Sequence, residues 1–341
     1  MKASDLYKIQ VTRFYRENHF FLIKDKPLAV VTTHFEGPEK KLEIILYSPQ
    51  FGIRNNDDGR WNKIVKASQA DIISKRSTEH LDAYILSESS LFVWDDRILI
   101  ITCGQTTLIS AIPEILEIVD RKKVALVFYE RRNLMFPQKQ SADFETDVAS
   151  MEQYFPGKSY RLGPANHDHV HVFYSSHAKT VAGQDATLQV LMRDFDKSVT
   201  DLFCQGHTLA KDQINRLSGL DRIYSKMETD CHIFKPYGYS LNGIVDKSYF
   251  TVHVTPQPEG SYASFETNVI ESDYSGIISD VVSIFKPRKF SLLLTTSMDE
   301  ACTKSRFTVV SHQPGYHVTE KSFYEFDCDY SLTYLNYVTK M

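Results

Sequence analysis

At 341 residues, 42% of them apolar and 24% charged, the chain can bury a large core and lies in the ordinary range of globular proteins. A formal net charge of −4 creates no field that would gather nucleic acid or an anionic membrane, so composition points to a small-molecule or protein partner. The apolar runs before Thr33, such as Phe20–Ile23, are too short for a secretory signal, and no stretch approaches the length needed to span a bilayer.

The five cysteines (Cys103, Cys204, Cys231, Cys302 and Cys328) are odd in number, dispersed and without a paired CxxC spacing. That pattern argues against a disulfide framework and a structural zinc site, and for the reducing cytoplasm.

Residues 1–30 read as an extension to a main domain over 31–341. Within that domain, β-branched and aromatic runs predict strands over 41–47, 81–87, 98–103, 122–129, 168–174, 248–255, 289–295 and 306–310. Leu108, Ile112, Ile115, Leu116 and Val119 recur at helical spacing within 106–120. So do Ile277, Val281, Ile284 and Phe285 within 274–286, where Pro287 supplies a stop. Strands interleaved with helices in both halves, with no low-complexity linker, predict a single α+β domain in which helices cover mainly antiparallel sheet. The two halves share a loosely similar order of elements without the identity that would mark a repeat.

Three segments carry candidate chemistry. Ser87-Glu88-Ser89-Ser90 sits between two apolar strand-like runs; alone, such a segment is ordinarily a turn or cap. A hairpin centred on Asp96 would set Cys103 opposite Ser89, with Cβ atoms roughly 5 Å apart. The alternative for Cys103 is a small buried hydrophobe. In 248–255 the period of two places Tyr249, Thr251, His253 and Thr255 on one face and Phe250, Val252 and Val254 on the other. If the glycine-rich segment Pro236–Gly243 forms a hairpin with this strand, Ser240 and His253 reach one pocket. His167, His169 and His171 alternate in a strand-like run and could share a face as metal ligands, but no nearby carboxylate or cysteine completes a set, so they read as solvent-facing.

YILSESSLFV, ITCG, HFEGPEKKLEI, PYGYSLNG and VHVTPQPEGSYASFETN together resemble, in order and spacing, the motifs of eukaryotic S-adenosylmethionine decarboxylases. The resemblance runs from about Thr33 to the C-terminal strands. It implies a four-layer αββα sandwich of two antiparallel sheets flanked by helices. It also implies a proenzyme that cuts itself between Glu88 and Ser89, giving a β chain of 1–88 and an α chain of 89–341 that begins with a pyruvoyl group made from Ser89. Such a carbonyl serves as the electron sink that decarboxylation of an α-amino acid requires.

By the same resemblance His253 is the base of the elimination step, Ser240 assists the acyl shift, Cys103 is the acid that protonates the substrate, Glu39 supports processing and Glu36 catalysis. Phe35 and Phe234 match the two rings that sandwich adenine, and backbone groups at Leu86 and Glu88 match those that read its edge. Glu43, Asp185, Thr187 and Glu266 match a putrescine activator site, with Arg131 in the network connecting it to the centre. A homodimer of αβ units is a further family expectation. Four positions depart from the family pattern: Ile101 replaces a common lysine, Glu130 a serine, Gln189 a glutamate, and Gln257 the glutamate that binds both ribose hydroxyls. Retention of Ser89, Cys103, Ser240 and His253 favours an enzyme over a non-catalytic regulatory relative.

Overall fold

The computed structural model describes residues 35–177, 183–204, 209–257, 259–299, 302 and 313–340. The chain divides into Met1–Phe35 and Glu36–Met341; of the first unit only Phe35 is described, and it is 41% exposed.

In Glu36–Met341 the first half forms strands β1 (Lys40–Leu46), β2 (Ile72–Ser77), β3 (Leu81–Leu86), β4 (Ser89–Trp94), β5 (Arg97–Thr102), β6 (Val124–Arg132), β7 (Lys158–Leu162) and β8 (Val170–Ser176). They make one sheet in the order β2-β3-β4-β5-β1-β6-β8-β7, antiparallel throughout. The second half forms β9 (Ala186–Phe195), β10 (Glu228–Ile233), β11 (Tyr239–Val245), β12 (Ser248–Thr255), β13 (Tyr262–Thr267), β14 (Pro287–Ser297), β15 (Tyr316–Glu325) and β16 (Tyr330–Thr339). Their order, β10-β11-β12-β13-β9-β14-β16-β15, is the first order with eight added to every number. The loose similarity of the halves in sequence is therefore a shared topology.

Helices cover the outer face of each sheet. From α1 (Arg60–Ala67) and α2 (Ile112–Ile118), Trp61, Ile64, Val65, Ile112 and Ile115 join Leu42, Ile44, Leu91 and Val93 in one apolar cluster, which also takes Phe144 and Met151 from α3 (Phe144–Glu152). Over the second sheet lie α4 (Lys197–Cys204), α5 (Lys211–Ser218) and α6 (Ser275–Phe285). Their Val199, Phe203, Ile214, Ile278 and Phe285 cluster with Val190, Phe250, Val252 and Phe265. The inner faces meet through Phe128, Tyr174, Leu293 and Tyr334, and through Phe92, Trp94 and Ile101 against Ile244 and Tyr249. This is the four-layer αββα sandwich, and the side-chain alternation expected for β12 holds, with Phe250, Val252 and Val254 toward the helices.

Local departures have local causes. The helical pattern of 106–120 divides into a 3₁₀ turn, Leu108–Ala111, and α2, because Pro113 suits only a helix's first turn. Helix α6 ends at Lys286, whose φ of 44° closes the helix before Pro287 opens β14. The strand expected over 306–310 lies outside the described residues. No described helix is long and apolar enough to cross a membrane.

Phe92 is fully buried, its ring 4.4 Å from that of Tyr249 on the opposite sheet. Phe92→Ala is expected to cost about 3–5 kcal/mol by leaving a cavity between the sheets. The measurement is the urea midpoint at unchanged slope; a midpoint equal to the parent's would show that this contact does not hold the sheets together.

Candidate active site

Strands β3 and β4 are joined by the two residues Ser87 and Glu88, with Leu86 paired to Ser89. The turn is pinned from the side: Ser87 N donates to Asp71 O at 2.8 Å, and Asp71 N to Ser87 Oγ at 2.9 Å. Ser89, buried, has φ 142°, a region that a residue with a Cβ enters only under constraint. Backbone strain thus sits on the residue whose amide nitrogen follows the Glu88 carbonyl.

Cys103 is not opposite Ser89 as expected. The β4–β5 turn is centred between Asp95 and Asp96 rather than on Asp96, and that half-residue makes Thr102 the partner of Ser89. Cys103 consequently lies beside the Glu88 carbonyl oxygen, to which its backbone N–H donates at 2.9 Å and its thiol at 3.2 Å.

The second sheet brings His253 to the same place. His253 on β12 is flanked in register by Ser240 on β11 and Ser264 on β13, so the expected Ser240–His253 neighbourhood forms. Its Nδ1 lies 3.0 Å from Ser89 Oγ and 2.7 Å from Glu39 Oε1. Glu39, just before β1, also accepts from Ser264 Oγ at 2.7 Å and from the Tyr262 hydroxyl at 3.3 Å. On the other edge of the ring, Nε2 meets the hydroxyls of Ser90 and Thr251 at 2.9 and 3.0 Å. Asn242, Thr251, Ser90 and Ser264 were not singled out in the sequence. The signal that could have found Thr251 and Ser264 was the period of two, which sets Thr251 on the face of His253, and the paired strand SYASFET.

Burial raises the Glu39 carboxyl, but the hydrogen bonds and charge of His253, then Ser264 and Arg132, outweigh it and hold the group below its usual range. Burial alone pushes Glu88 up to about 7. Burial, reinforced by the Glu88 and Glu39 carboxylates, drives the Cys103 thiol well above its ordinary value, so it remains a protonated donor. Glu36 is raised by burial even though its two oxygens accept backbone N–H groups from Met135 and Phe136, each at 2.7 Å. Chemically the site combines a hydroxyl beside a base, a carbonyl gripped by two donors and a carboxylate that orients the base, the elements of an acyl transfer within the chain.

Leu86 and Gln257 are buried and Phe234 half-buried, its backbone N–H donating to Gly238 O at 2.9 Å. Phe35 belongs to the Met1–Phe35 unit. Glu43, Asp185 and Glu266 gather between the sheets toward the opposite end of β1 from Glu39, with Thr187 on the neighbouring strand β9. They are accompanied by cations: Lys41 Nζ is 3.0 Å from Glu266 and 4.0 Å from Glu43, and Arg97 is 3.3 Å from Glu43 and 3.1 Å from Asp185. Arg131 does not join this network. It faces the helices and pairs with Asp147 at 2.5 Å, while Arg132, one residue on and therefore on the inner face, pairs with Glu130 and donates to Gln189. The rings of His169 and His171 lie 5.1 Å apart, and among the described residues no cluster of His, Cys, Asp or Glu has an arrangement that would hold a metal.

The family model for adenosylmethionine decarboxylase matches residues 32–338. S-adenosylmethionine decarboxylase proenzymes of Dictyostelium discoideum, Xenopus laevis and Drosophila melanogaster are 32%, 33% and 35% identical, covering 89%, 89% and 83% of this chain and 85%, 95% and 89% of their own. A crystal structure of a Trypanosoma brucei AdoMetDC-delta26 monomer superposes with a TM-score of 0.60 at 27% identity, covering 74% of this chain and 99% of that one. The fold of two stacked sheets thus has a solved counterpart. The chain belongs to the adenosylmethionine decarboxylase family.

A thiol held protonated alkylates slowly. At mildly alkaline pH Cys103 is expected to react with iodoacetamide much more slowly than it does in the urea-unfolded chain, read by peptide mapping. Equal rates would remove Cys103 as a standing proton donor.

Proposed function

We propose that this protein is a self-processing S-adenosylmethionine decarboxylase that supplies decarboxylated S-adenosylmethionine, the aminopropyl donor for spermidine and spermine. The observation that carries the reading is the meeting of Ser89 Oγ with His253 Nδ1 at 3.0 Å beside a Glu88 carbonyl that accepts from Cys103. Ser89 Oγ adds to the Glu88 carbonyl carbon, and the Cys103 N–H and thiol stabilise the oxyanion. The peptide C–N bond breaks, the nitrogen of residue 89 takes a proton, and an ester remains. His253, oriented by Glu39, then takes the Cα proton of residue 89, which expels the Glu88 carboxylate. Addition of water and loss of ammonia leave a keto group at the new N-terminus of 89–341.

The pyruvoyl group supplies the electron sink for the carbanion left by decarboxylation. The buried Ser89 site fits a group made in place, since Cys103 remains as a protonated thiol able to return a proton to the substrate carbon. Gln257 would face the ribose hydroxyls and Phe234 the adenine, with Leu86 and Glu88 at its edge. Ser240, beside His253, would assist the acyl shift. We place the enzyme in the cytoplasm as αβ units, alone or paired, with 1–30 as an extension; the family match beginning at residue 32 supports that boundary.

The activator reading takes a different form in this chain. A diamine would find Glu43, Asp185 and Glu266, but two internal cations already answer them. Lys41 stands directly across the β1–β5 ladder from Ile101, the position at which relatives commonly carry lysine. Buried carboxylates require partners, and Lys41 and Arg97 provide them without a ligand. We infer that putrescine is dispensable for this protein.

The unmutated protein is expected to run as two chains, 1–88 and 89–341, and Ser89→Ala as one inactive chain. Intact mass decides this, and a folded, unmutated protein that stays in one piece would overturn the processing reading. Putrescine is expected to leave melting temperature and rate unchanged in the parent, and to raise the melting temperature of Lys41→Met, in which a carboxylate has lost its cation. A clear response of the parent to putrescine would show that the internal pairs leave the site open.

A further inference from the structure

We propose that Asn242 is a positioning residue for self-cleavage: it holds a proton on His253 Nε2, which leaves Nδ1 as the nitrogen that works on Ser89. The proposal rests on the reading that the chain cleaves itself, and it concerns residues to which that reading gives no role.

The argument is a count of protons. Ser90 Oγ and Thr251 Oγ1 each lie 2.8 Å from Asn242 Oδ1, and each also lies within 3.0 Å of His253 Nε2. Asn242 comes from β11, directly opposite Thr251 of β12, while Ser90 reaches in from β4 of the other sheet. All four residues are buried, so water does not repair a mismatch. A hydroxyl has one proton to give. If Nε2 is bare, one hydroxyl must turn its proton to the ring, and its oxygen then faces Asn242 Oδ1 at 2.8 Å with no hydrogen between them. If Nε2 carries the proton, both hydroxyls donate to Asn242 Oδ1 and both can accept from the ring, so every contact at Nε2 is satisfied, and a second proton shared between Nδ1 and Glu39 Oε1, 2.7 Å apart, completes the other edge.

The amide cannot escape the choice by flipping. Its Nδ2 donates to the Tyr84 carbonyl at 3.1 Å, and a flip would oppose two oxygens there. With Nε2 occupied, the proton that passes between Ser89 and Glu39 has only Nδ1 to use, which lies 3.0 Å from the first and 2.7 Å from the second. Ser89 and Ser90 are consecutive, and along a regular strand their side chains would point to opposite faces. The φ of 142° at Ser89 is what lets both hydroxyls address one imidazole, one at each nitrogen.

The test measures the rate of chain cleavage and the protonation of the ring. Asn242→Ala is expected to slow cleavage about tenfold or more, as removal of a buried partner from a working group does. Thr251→Val is expected to slow it as well, and Thr251→Ser to restore it, which keeps the test alive if Asn242→Ala does not fold. In uncleaved Ser89→Ala protein labelled with nitrogen-15 at histidine, His253 is expected to show a protonated Nε2, with its signal identified by loss in His253→Gln. Adding Asn242→Ala should move that signal toward the bare form. A purely structural role for Asn242 would lower the melting temperature without moving the nitrogen signal. Parental cleavage rates in folded Asn242→Ala and Thr251→Val, or a bare Nε2 in the Ser89→Ala protein, would overturn the assignment while leaving self-cleavage intact. A parent that never cleaves, by contrast, would remove both readings.

Discussion

Charge buried between two sheets has to be answered by charge, and the seam of this sandwich is built on that constraint. The pair of Glu39 and His253, 2.7 Å apart, ties β1 of the first sheet to β12 of the second at one end. Lys41 with Glu266, at 3.0 Å, makes the same kind of tie farther along β1, and Arg97 with Asp185 makes another. Between them Arg132 serves Glu130 and adds its charge to the environment of Glu39. A one-residue slip of β1 would turn Glu39, Lys41 and Glu43 outward and leave their partners buried alone. The ionic seam therefore fixes register as well as proximity, and the apolar patches on either side can be interchangeable in detail because the charges are not.

The repeated topology gives this seam two ends of similar construction and different use. Each half places its first strand in the middle of its sheet, so β1 and β9 both run through the centre of the molecule. At the end near Glu39 the polar groups include a hydroxyl on a strained backbone and a base. At the end near Asp185 they are carboxylates, arginine and the Tyr330 hydroxyl, 2.7 Å from Asp185, joined as ion pairs and hydrogen bonds. The same fold thus carries a reactive pole and a structural one.

The sequence made the elements with strong periodicity legible, along with the residues whose order matches a known set of motifs. The β12 alternation placed His253 correctly because Phe250, Val252 and Val254 leave no doubt about the apolar face. Register was harder. Cys103 and Thr102 exchange roles on a half-residue shift of the β4–β5 turn, and Arg131 and Arg132 exchange faces because adjacent arginines carry no signal for which one points inward. Asn242 and Ser90 were illegible for a different reason: each is an ordinary strand residue whose significance exists only when two strands of one sheet and one of the other converge. Lys41 was hidden by its neighbour Lys40, since a pair of lysines reads as surface charge until the sheets show both buried, Lys41 beside Glu266 and Lys40 against Thr106 and Gln140.

Distance along the chain gives this arrangement its safety. Ser89 and His253 are separated by 164 residues, and Glu39 and His253 by 214. The turn at Glu88 and Ser89 closes within a single hairpin, a local event, but the base and its orienting carboxylate arrive only when β12 of the second sheet docks on β1 and β4 of the first. Docking buries the ring and half-buries Glu88 and Cys103, and the rise of the Glu88 and Cys103 groups follows from that desolvation. A nascent or half-folded chain holds the same serine and the same carbonyl without the base, the donors fixed in place or the strain at φ 142°, since nothing then constrains Ser89. Under the proposed self-cleavage, competence to cut would be a property of the packed sandwich, since it needs contacts between residues far apart in the chain.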